Sequence, residues 1–387
     1  MAARPPRVAV LIETSTSWGS QAVRGVVDYM RSSGHWLFQI DWHGVHEERR
    51  LPRDWRGEGV IARVTNLPLA RQIRSLGVPA VNISWSTVPG IELPQVATDE
   101  CAASRLAAEH FLERGFRHFA YVGDSDQHNY VDRCGPAFAR SVAEEGCECA
   151  CFRPARTNRT SRRQPPRLDE LAGWLRRLPK PLAVLAWDAL RGRQVTEACW
   201  KSGIHVPEQV AVLAGYNDDL MCEIAIPPLS GIDQCPERVG YVAAELLDGM
   251  MRGRRPPSKA TYIPPAGVVT RGSTDTLAHE DPDLVKALRF IREHADRPIR
   301  VKNVLELLSV SRRSLEQRFL LELGRSPAAE IRRVHLQRAR DLLSRTDMPI
   351  GAIAGAAGFV HAEVMTRAFR REFGCSPRAY RRRSRLG

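Results

Sequence analysis

Apolar positions in the last hundred residues recur with a helical period, and then the whole pattern recurs. Val301, Val304, Leu305 and Leu308 fall on one helix face. After a break at Ser309-Val310-Ser311, Leu315, Phe319 and Leu323 mark a second helix, for which Ser311 is the candidate N-cap. Ile350, Ile353, Ala354 and Ala357, a turn at Gly358-Phe359-Val360, and then Val364, Met365, Ala368 and Phe369 repeat the arrangement. The register is exact in the chain itself: Phe319-Leu320-Leu321-Glu322-Leu323-Gly324-Arg325-Ser326-Pro327 returns 50 residues later as Phe369-Arg370-Arg371-Glu372-Phe373-Gly374-Cys375-Ser376-Pro377. A segment that recurs in register is a duplicated supersecondary unit. Helix, short turn and helix describe a helix-turn-helix, although the spacing alone also suits any small helical hairpin. The two units are expected at about 299–323 and 349–373. Between them, Ala328 to Arg345 reads as one continuous helix. Its roughly 18 residues span about 27 Å, close to the roughly 34 Å of one DNA turn.

Upstream the pattern changes to short apolar runs separated by amphipathic stretches. Val8–Ile12, Gly59–Ala62, Ala80–Ile83, Phe119–Gly123, Leu182–Ala186 and Val210–Ala214 read as strands, with a helix over Ala102–Arg114. This alternation predicts a parallel α/β sheet covered on both faces. About 270 residues exceed one such sheet comfortably, so two lobes are expected. The fold class is therefore α/β followed by all-α. The boundaries are an α/β domain at 1–272, a polar linker at 273–283 and a helical domain at 284–387.

Charge adds direction. Residues 277–387 carry 23 Lys and Arg against 13 Asp and Glu, a net +10 out of the chain's +13. Basic residues thus gather on the repeat, as a phosphate-neutralising surface requires. In the first unit Ser311, Arg312, Arg313, Glu316 and Gln317 lie off the apolar stripe, and Arg and Gln can pair bidentately with guanine and adenine. The second unit offers His361, Glu363, Thr366, Arg367 and Arg370, a less polar start and fewer expected base contacts.

In open α/β sheets, ligands bind beyond the C-terminal strand ends. Those positions hold Glu13, Thr14 and Trp18, then Trp85, Asp124, Trp187 and Asp188, and Tyr216 and Asn217. Arg133 lies farther along. Flat indole faces suit a sugar ring, and carboxylate, amide and guanidinium groups suit its hydroxyls. Each Trp could equally plug a lobe, and each Asp could cap a helix.

The stretch Ala356-Ala357-Gly358-Phe359, continuing with Thr366 through Arg381, resembles the DNA-binding domain of the AraC/XylS family. His361 departs from the small polar cap usual there. Val96-Ala97-Thr98-Asp99-Glu100 through Ala120, and Val206 through Asp218 with Pro227-Pro228-Leu229-Ser230, resemble the effector domain of LacI-type repressors and sugar-binding periplasmic proteins. That resemblance implies that Arg133 forks onto sugar hydroxyls, that Asn217 replaces a ligand-reading Asp, and that Gln234 borders the cleft or hinge. Joined in this order, the two resemblances imply a dimeric, sugar-responsive transcription activator. Its partners would be operator DNA, D-xylose and RNA polymerase. No single residue names the sugar.

The remaining signals narrow the class. No phosphate-binding glycine pattern, nucleophile elbow or zinc-hydrolase motif is present, and no cofactor is expected. A sugar-modifying enzyme or a plain sugar-binding protein fused to a DNA-targeting domain stays open as an alternative. Nine cysteines form no even framework, which fits a reducing cytoplasm. Cys147, Cys149 and Cys151 alternate as on one strand face, but no second Cys or His cluster accompanies them, so no metal is expected. The first apolar run is too short for a membrane span or a signal peptide. The Arg- and Pro-rich stretch Arg153–Arg167 reads as a surface loop.

Overall fold

The apolar runs form strands because they are buried on both faces. The computed structural model describes residues 4–33, 36–40, 51–52, 55–86, 88–124, 131–153, 168–278 and 281–386. The first lobe holds β1 (Arg7–Leu11), α1 (Ser17–Ser33), β2 (Leu37–Ile40), β3 (Gly59–Ala62), α2 (Leu67–Ser75) and β4 (Ala80–Asn82). Its strands pair in parallel in the order β2-β1-β3-β4. After β5 (Val96–Thr98) the chain enters the second lobe: α3 (Glu100–Leu112), β6 (His118–Val122), α4 (Cys134–Ala143), β7 (Cys149–Phe152), α5 (Leu168–Arg177), β8 (Leu182–Ala186), α6 (Ala189–Lys201), β9 (Val210–Ala214), α7 (Asp219–Glu223) and β10 (Ser230–Asp233). Helix α8 (Pro236–Met251) returns to the first lobe. β11 (Thr261–Ile263) and β12 (Gly267–Val269) cross back. The second sheet runs β12-β10-β9-β8-β6-β7, with only the β10–β12 pair antiparallel.

The lobes are thus joined by three crossings. β5 and β11 pair in parallel, Thr261 with Val96 through Ile263 with Thr98. The third crossing is tied to them by Thr98 Oγ1, which donates to Gln234 O at 2.9 Å. It ends at Cys235, whose left-handed backbone (φ 53°) is unusual for a residue with a Cβ and opens α8.

Helix α8 covers the first sheet alongside α1, and the two backbones nearly touch. A Cβ at Gly240 would sit 1.8 Å from Ala22 O, and one at Gly25 would sit 1.8 Å from Glu237 O. Glycine is required there for approach, not for a turn.

The second domain is helical: α9 (Pro282–Glu293), α10 (Val301–Glu306), α11 (Arg312–Leu323), α12 (Pro327–Arg345), α13 (Ile350–Ala356), α14 (Ala362–Phe373) and α15 (Pro377–Leu386). Ile331 and Val334 of α12 join one core with Leu315 and Phe319. Leu336, Ala339 and Leu343 join another with Met365 and Phe369. No helix among the described residues is long and apolar enough to cross a membrane.

The segment expected to begin the linker behaves differently. Gly272–Thr274 forms a short 3-10 turn in which Ser273 and Thr274 are fully buried. Ser273 Oγ donates to Val212 O at 2.6 Å, and Thr274 Oγ1 meets His110 Nε2 at 2.9 Å. Ala278 N still bonds to Arg114 O at 2.8 Å. Polar residues without periodicity look like a linker in sequence, but here their polarity satisfies buried hydrogen bonds of the effector-like domain. The expected loop at 154–167 and linker residues 279–280 lie outside the described residues.

Two stability outcomes follow from this packing. Gly240→Ala overpacks the α1–α8 crossing and should cost about 1–3 kcal/mol or more, measured as a loss in thermal or urea midpoint. His110 is held neutral, well below its usual range, by burial and by the nearby Arg114 and Arg292 guanidinium groups. A His with a depressed folded pKa loses nothing above its unfolded value and destabilises as pH falls below about 6.5. The Tm should therefore drop between pH 7 and 5, and the drop should be smaller in His110→Gln; equal slopes would remove His110 from the acid response.

Candidate effector cleft and nucleic-acid interface

Between the lobes lies a cavity of about 220 Å³ lined by Trp18, Gln21, Tyr216, Asn217, Asp219, Asp233, Gln234, Pro236 and Val269. It is smaller than the roughly 300–1,000 Å³ of clefts for drug-sized ligands, and its scale suits one small polar molecule. The lobes touch at its edge: Ser17 N donates to Asp218 Oδ2 at 3.2 Å, and Asp219 N donates to Ser17 Oγ at 3.3 Å.

One wall is aromatic and cationic. The Trp18 and Trp85 rings lie 5.6 Å apart at 47°. The Arg63 guanidinium sits 5.3 Å from the first ring and 5.5 Å from the second. It also pairs with the Glu13 carboxylate, which is buried at the end of β1. The ion pair and the two π faces together fix the Trp18 ring in place. On the opposite wall Arg271 Nη1 donates to Asn217 Oδ1 at 2.8 Å, and its Nη2 lies 3.4 Å from Asp219 Oδ1. At the floor Gln234 Nε2 donates to Gly215 O at 2.8 Å. Two buried polar atoms of the lining, Trp18 Nε1 and Gln234 Oε1, have no protein partner among the described residues. A donor and an acceptor are thereby left for whatever enters.

The candidate residues divide. Trp18, Asn217 and Gln234 line the cavity, and Trp85 backs Trp18. Thr14 is half-buried between β1 and α1. Asp124, Trp187 and Asp188 do not line it. Asp124 pairs with Arg191 at 2.5 Å, Asp188 caps α6 by accepting from Arg191 N at 2.6 Å, and Trp187 packs against the core of the second lobe. Arg133 is exposed at the start of α4 and donates to Tyr262 OH at 3.0 Å. Sequence reasoning missed Arg63 and Arg271. Arg63 follows β3 directly and was open to the same strand-end rule. Arg271 follows an antiparallel strand, to which that rule does not apply.

On the helical domain the repeat becomes geometry. Both α11 and α14 end on a left-handed glycine, Gly324 (φ 66°) and Gly374 (φ 67°), whose N–H bonds back to the helix at 3.0 Å. Ser311 Oγ caps α11 by accepting from Ser314 N at 3.2 Å, whereas the His361 side chain makes no cap bond on α14. Ser311, Arg312, Arg313, Glu316 and Gln317 share the exposed face of α11. His361, Glu363, Arg367 and Arg370 are exposed on α14, and Thr366 is half-buried beside them. Arg312 Nε pairs with Glu316 at 2.9 Å. Arg318, by contrast, turns inward to Asp281 at 2.6 Å. Val360 is exposed here too, and so is Val364, which the apolar stripe of this helix was expected to bury; apolar side chains in a major groove meet thymine methyls. The 19 residues of α12 separate the units by about 28 Å.

Residues 108–274 match the family model of the periplasmic binding protein-like domain, and residues 305–383 match that of the helix-turn-helix domain. The chain is a DNA-binding transcription regulator in which a periplasmic binding protein-like domain precedes a helix-turn-helix domain. Its sequence is 29% identical to the xylose operon regulatory protein of Escherichia coli K12, over 97% of this chain and 96% of that protein. It is 26% identical to the Haemophilus influenzae protein of the same name, over 97% and 98%. The solved structure of the xylose-binding transcription activator xylR aligns over 98% of this chain and 99% of that one, with 28% identity and a TM-score of 0.63. A maltose operon repressor structure from Staphylococcus aureus, at 15% identity and a TM-score of 0.55 over 70% of the chain, shares the effector fold alone.

For this regulator the α11 face carries a direct test. Arg312→Ala with Arg313→Ala should weaken operator binding and relax base preference, since each bidentate contact contributes about 1–3 kcal/mol of discrimination. Selection from a randomised operator pool would read the change, and an unaltered consensus would exclude both residues from readout.

Proposed function

We propose that the cleft binds a sugar, with D-xylose the first candidate, and that the protein is a sugar-responsive transcription activator. The observation that carries this reading is the pair of unpartnered polar atoms, Trp18 Nε1 and Gln234 Oε1, on one small cavity beside the Trp18–Trp85–Arg63 stack. An indole N–H, an amide oxygen and an aromatic face together match a hydroxyl-bearing ring. The choice of xylose draws on the names of the two bacterial relatives and of the solved activator.

In this reading sugar favours the closed cleft, and it shifts the equilibrium only by its preference for that form. Each chain carries two reading helices. A homodimer in the cytoplasm would present four to a paired operator and place RNA polymerase beside them. Arg133 would serve the ligand only after leaving Tyr262. The role is binding without chemistry: of the lining carboxylates, Asp219 is engaged by Arg271 and Asn217. A sugar-modifying enzyme would instead turn substrate over, which product analysis after incubation excludes or reveals.

A thermal-shift screen of pentoses and hexoses tests the assignment. D-xylose at a hundred times its Kd should add about 2.7 kcal/mol of stability. Trp18→Phe keeps an aromatic face but removes the indole N–H, and should weaken xylose binding by roughly 1 kcal/mol, about fivefold. A selective response to another sugar would replace xylose. A response to none would remove the sugar reading.

A further inference from the structure

Helix α3 runs from the hinge to the DNA-reading domain. Its N-cap, Asp99, follows β5 and donates its N–H to Ile263 O of β11 at 2.8 Å. Just past its other end, Glu113 meets α12. Glu113 Oε1 lies 2.5 Å from Arg333 Nη1, and its Oε2 accepts from Gln337 Nε2 at 2.9 Å. Arg292 of α9 donates to the Glu113 backbone carbonyl at 3.0 Å. The contact is largely shielded, with the Glu113 and Arg333 side chains 23% and 18% exposed.

Arg333 is divided between the two domains. Its Nη2 lies 2.7 Å from Glu330, a fully buried carboxylate of α12 that also holds Arg325 at 2.6 Å. Burial would raise the Glu330 carboxyl, but its Arg333 and Arg325 partners hold it below its usual range, so it stays ionised. One guanidinium thus joins a charge inside the reader to a charge on the second lobe. Farther along, Arg340 of α12 and Tyr380 of α15 face Arg105 and Glu109 of α3, and Pro264 of the hinge link, across a cavity of about 230 Å³.

We infer that Glu113 is a positioning residue for DNA reading: it locks α12, and with it both reading helices, to the end of α3, so that hinge and reader turn together. Because α12 contributes to the cores of both helix-turn-helix units, one fixed point on it orients both. Without the Glu113 charge, Arg333 keeps its bond to Glu330. The helix core would then survive while the charged side-chain link between domains is lost and only the Arg292 bond to the Glu113 backbone carbonyl remains there. The input, closure of the cleft by sugar, rests on the function proposed above.

The test uses the full chain as wild type, Glu113→Gln, and Glu113→Ala with Gln337→Glu. The double variant returns a carboxylate to Arg333 from its own helix, four residues on, while the truncated side chain at position 113 has nothing to bond it across the domains. Operator affinity is measured with and without D-xylose, and sugar binding by calorimetry. Wild type should show a sugar-dependent change in the range of about 5–150-fold, while Glu113→Gln should bind sugar normally but change by less than about twofold. The double variant should remain uncoupled. A wild-type ratio in Glu113→Gln, or its recovery in the double variant, would overturn the inference, the latter by showing a local charge effect. Amide hydrogen exchange gives a second reading that needs no ligand. Exchange at Ala278 and in the first turns of α12 should quicken in Glu113→Gln, and unchanged exchange would also overturn the inference. Wild type that binds operator but no pentose would sink the sugar reading alone, leaving the exchange result to decide the link.

Discussion

The triple crossing between the lobes is the constraint on which the rest depends. Two crossings are strands paired to each other, Val96–Thr98 with Thr261–Ile263. The third is bonded to them through Thr98 and Gln234. Three linked crossings allow the lobes to open and close about one line but resist sliding or twisting apart. The cavity sits against that line, so Gln234 belongs to hinge and lining at once. The left-handed Cys235 directly after it stores a little backbone strain where α8 must turn into the first lobe. Without this arrangement Trp18 and Asn217, about 200 residues apart in sequence (a separation whose loop-closure entropy grows only slowly with length), would not face one cavity.

The helical domain has its own organising element. Helix α12 contributes apolar residues to both helix-turn-helix cores, Ile331 and Val334 to one, Leu336, Ala339 and Leu343 to the other. Its single buried acid, Glu330, is matched by two arginines, and breaking such a cluster leaves an uncompensated charge. The second unit is fitted against the same helix: Gly358, at φ 75°, leaves room for the His335 ring, which a Cβ would meet at 2.5 Å. A rigid, shared helix converts two similar hairpins into one reader with fixed spacing. That rigidity also gives contacts at its surface, such as those of Glu113 and Gln337, their leverage.

Legibility differed by kind of residue. The strands at Val8, Gly59, Leu182 and Val210 were readable because burial on both faces leaves an uninterrupted apolar run. The reading helices were readable because their buried stripe repeats at 50 residues, and the exposed Arg312, Arg313 and Gln317 are simply what the stripe omits. The cleft was readable only in part. Strand ends point to the correct edge of each sheet, but they do not distinguish Trp18, which lines the cavity, from Trp187, which packs into a core, or Asn217 from the helix-capping Asp188. The members of each pair are alike in side-chain shape and local position, and differ in what the other lobe brings opposite them.

The sequence by itself determined the local structure: which segments are strands, which are helices, where the repeat starts and stops, and that basic charge gathers on the repeat. Periodicity, capping and turn chemistry act over a few residues and are written into neighbouring positions. Tertiary structure alone decided the rest. It placed Arg63 between two indoles, sent Arg271 to Asn217, buried Ser273 and Thr274 where the chain reads as a linker, and laid Glu113 on Arg333. Each of these joins residues from separate elements, most of them far apart in the chain, through directional hydrogen bonds or the contacts of a charged group. No local pattern encodes such a contact, because neither partner's neighbours carry information about the other.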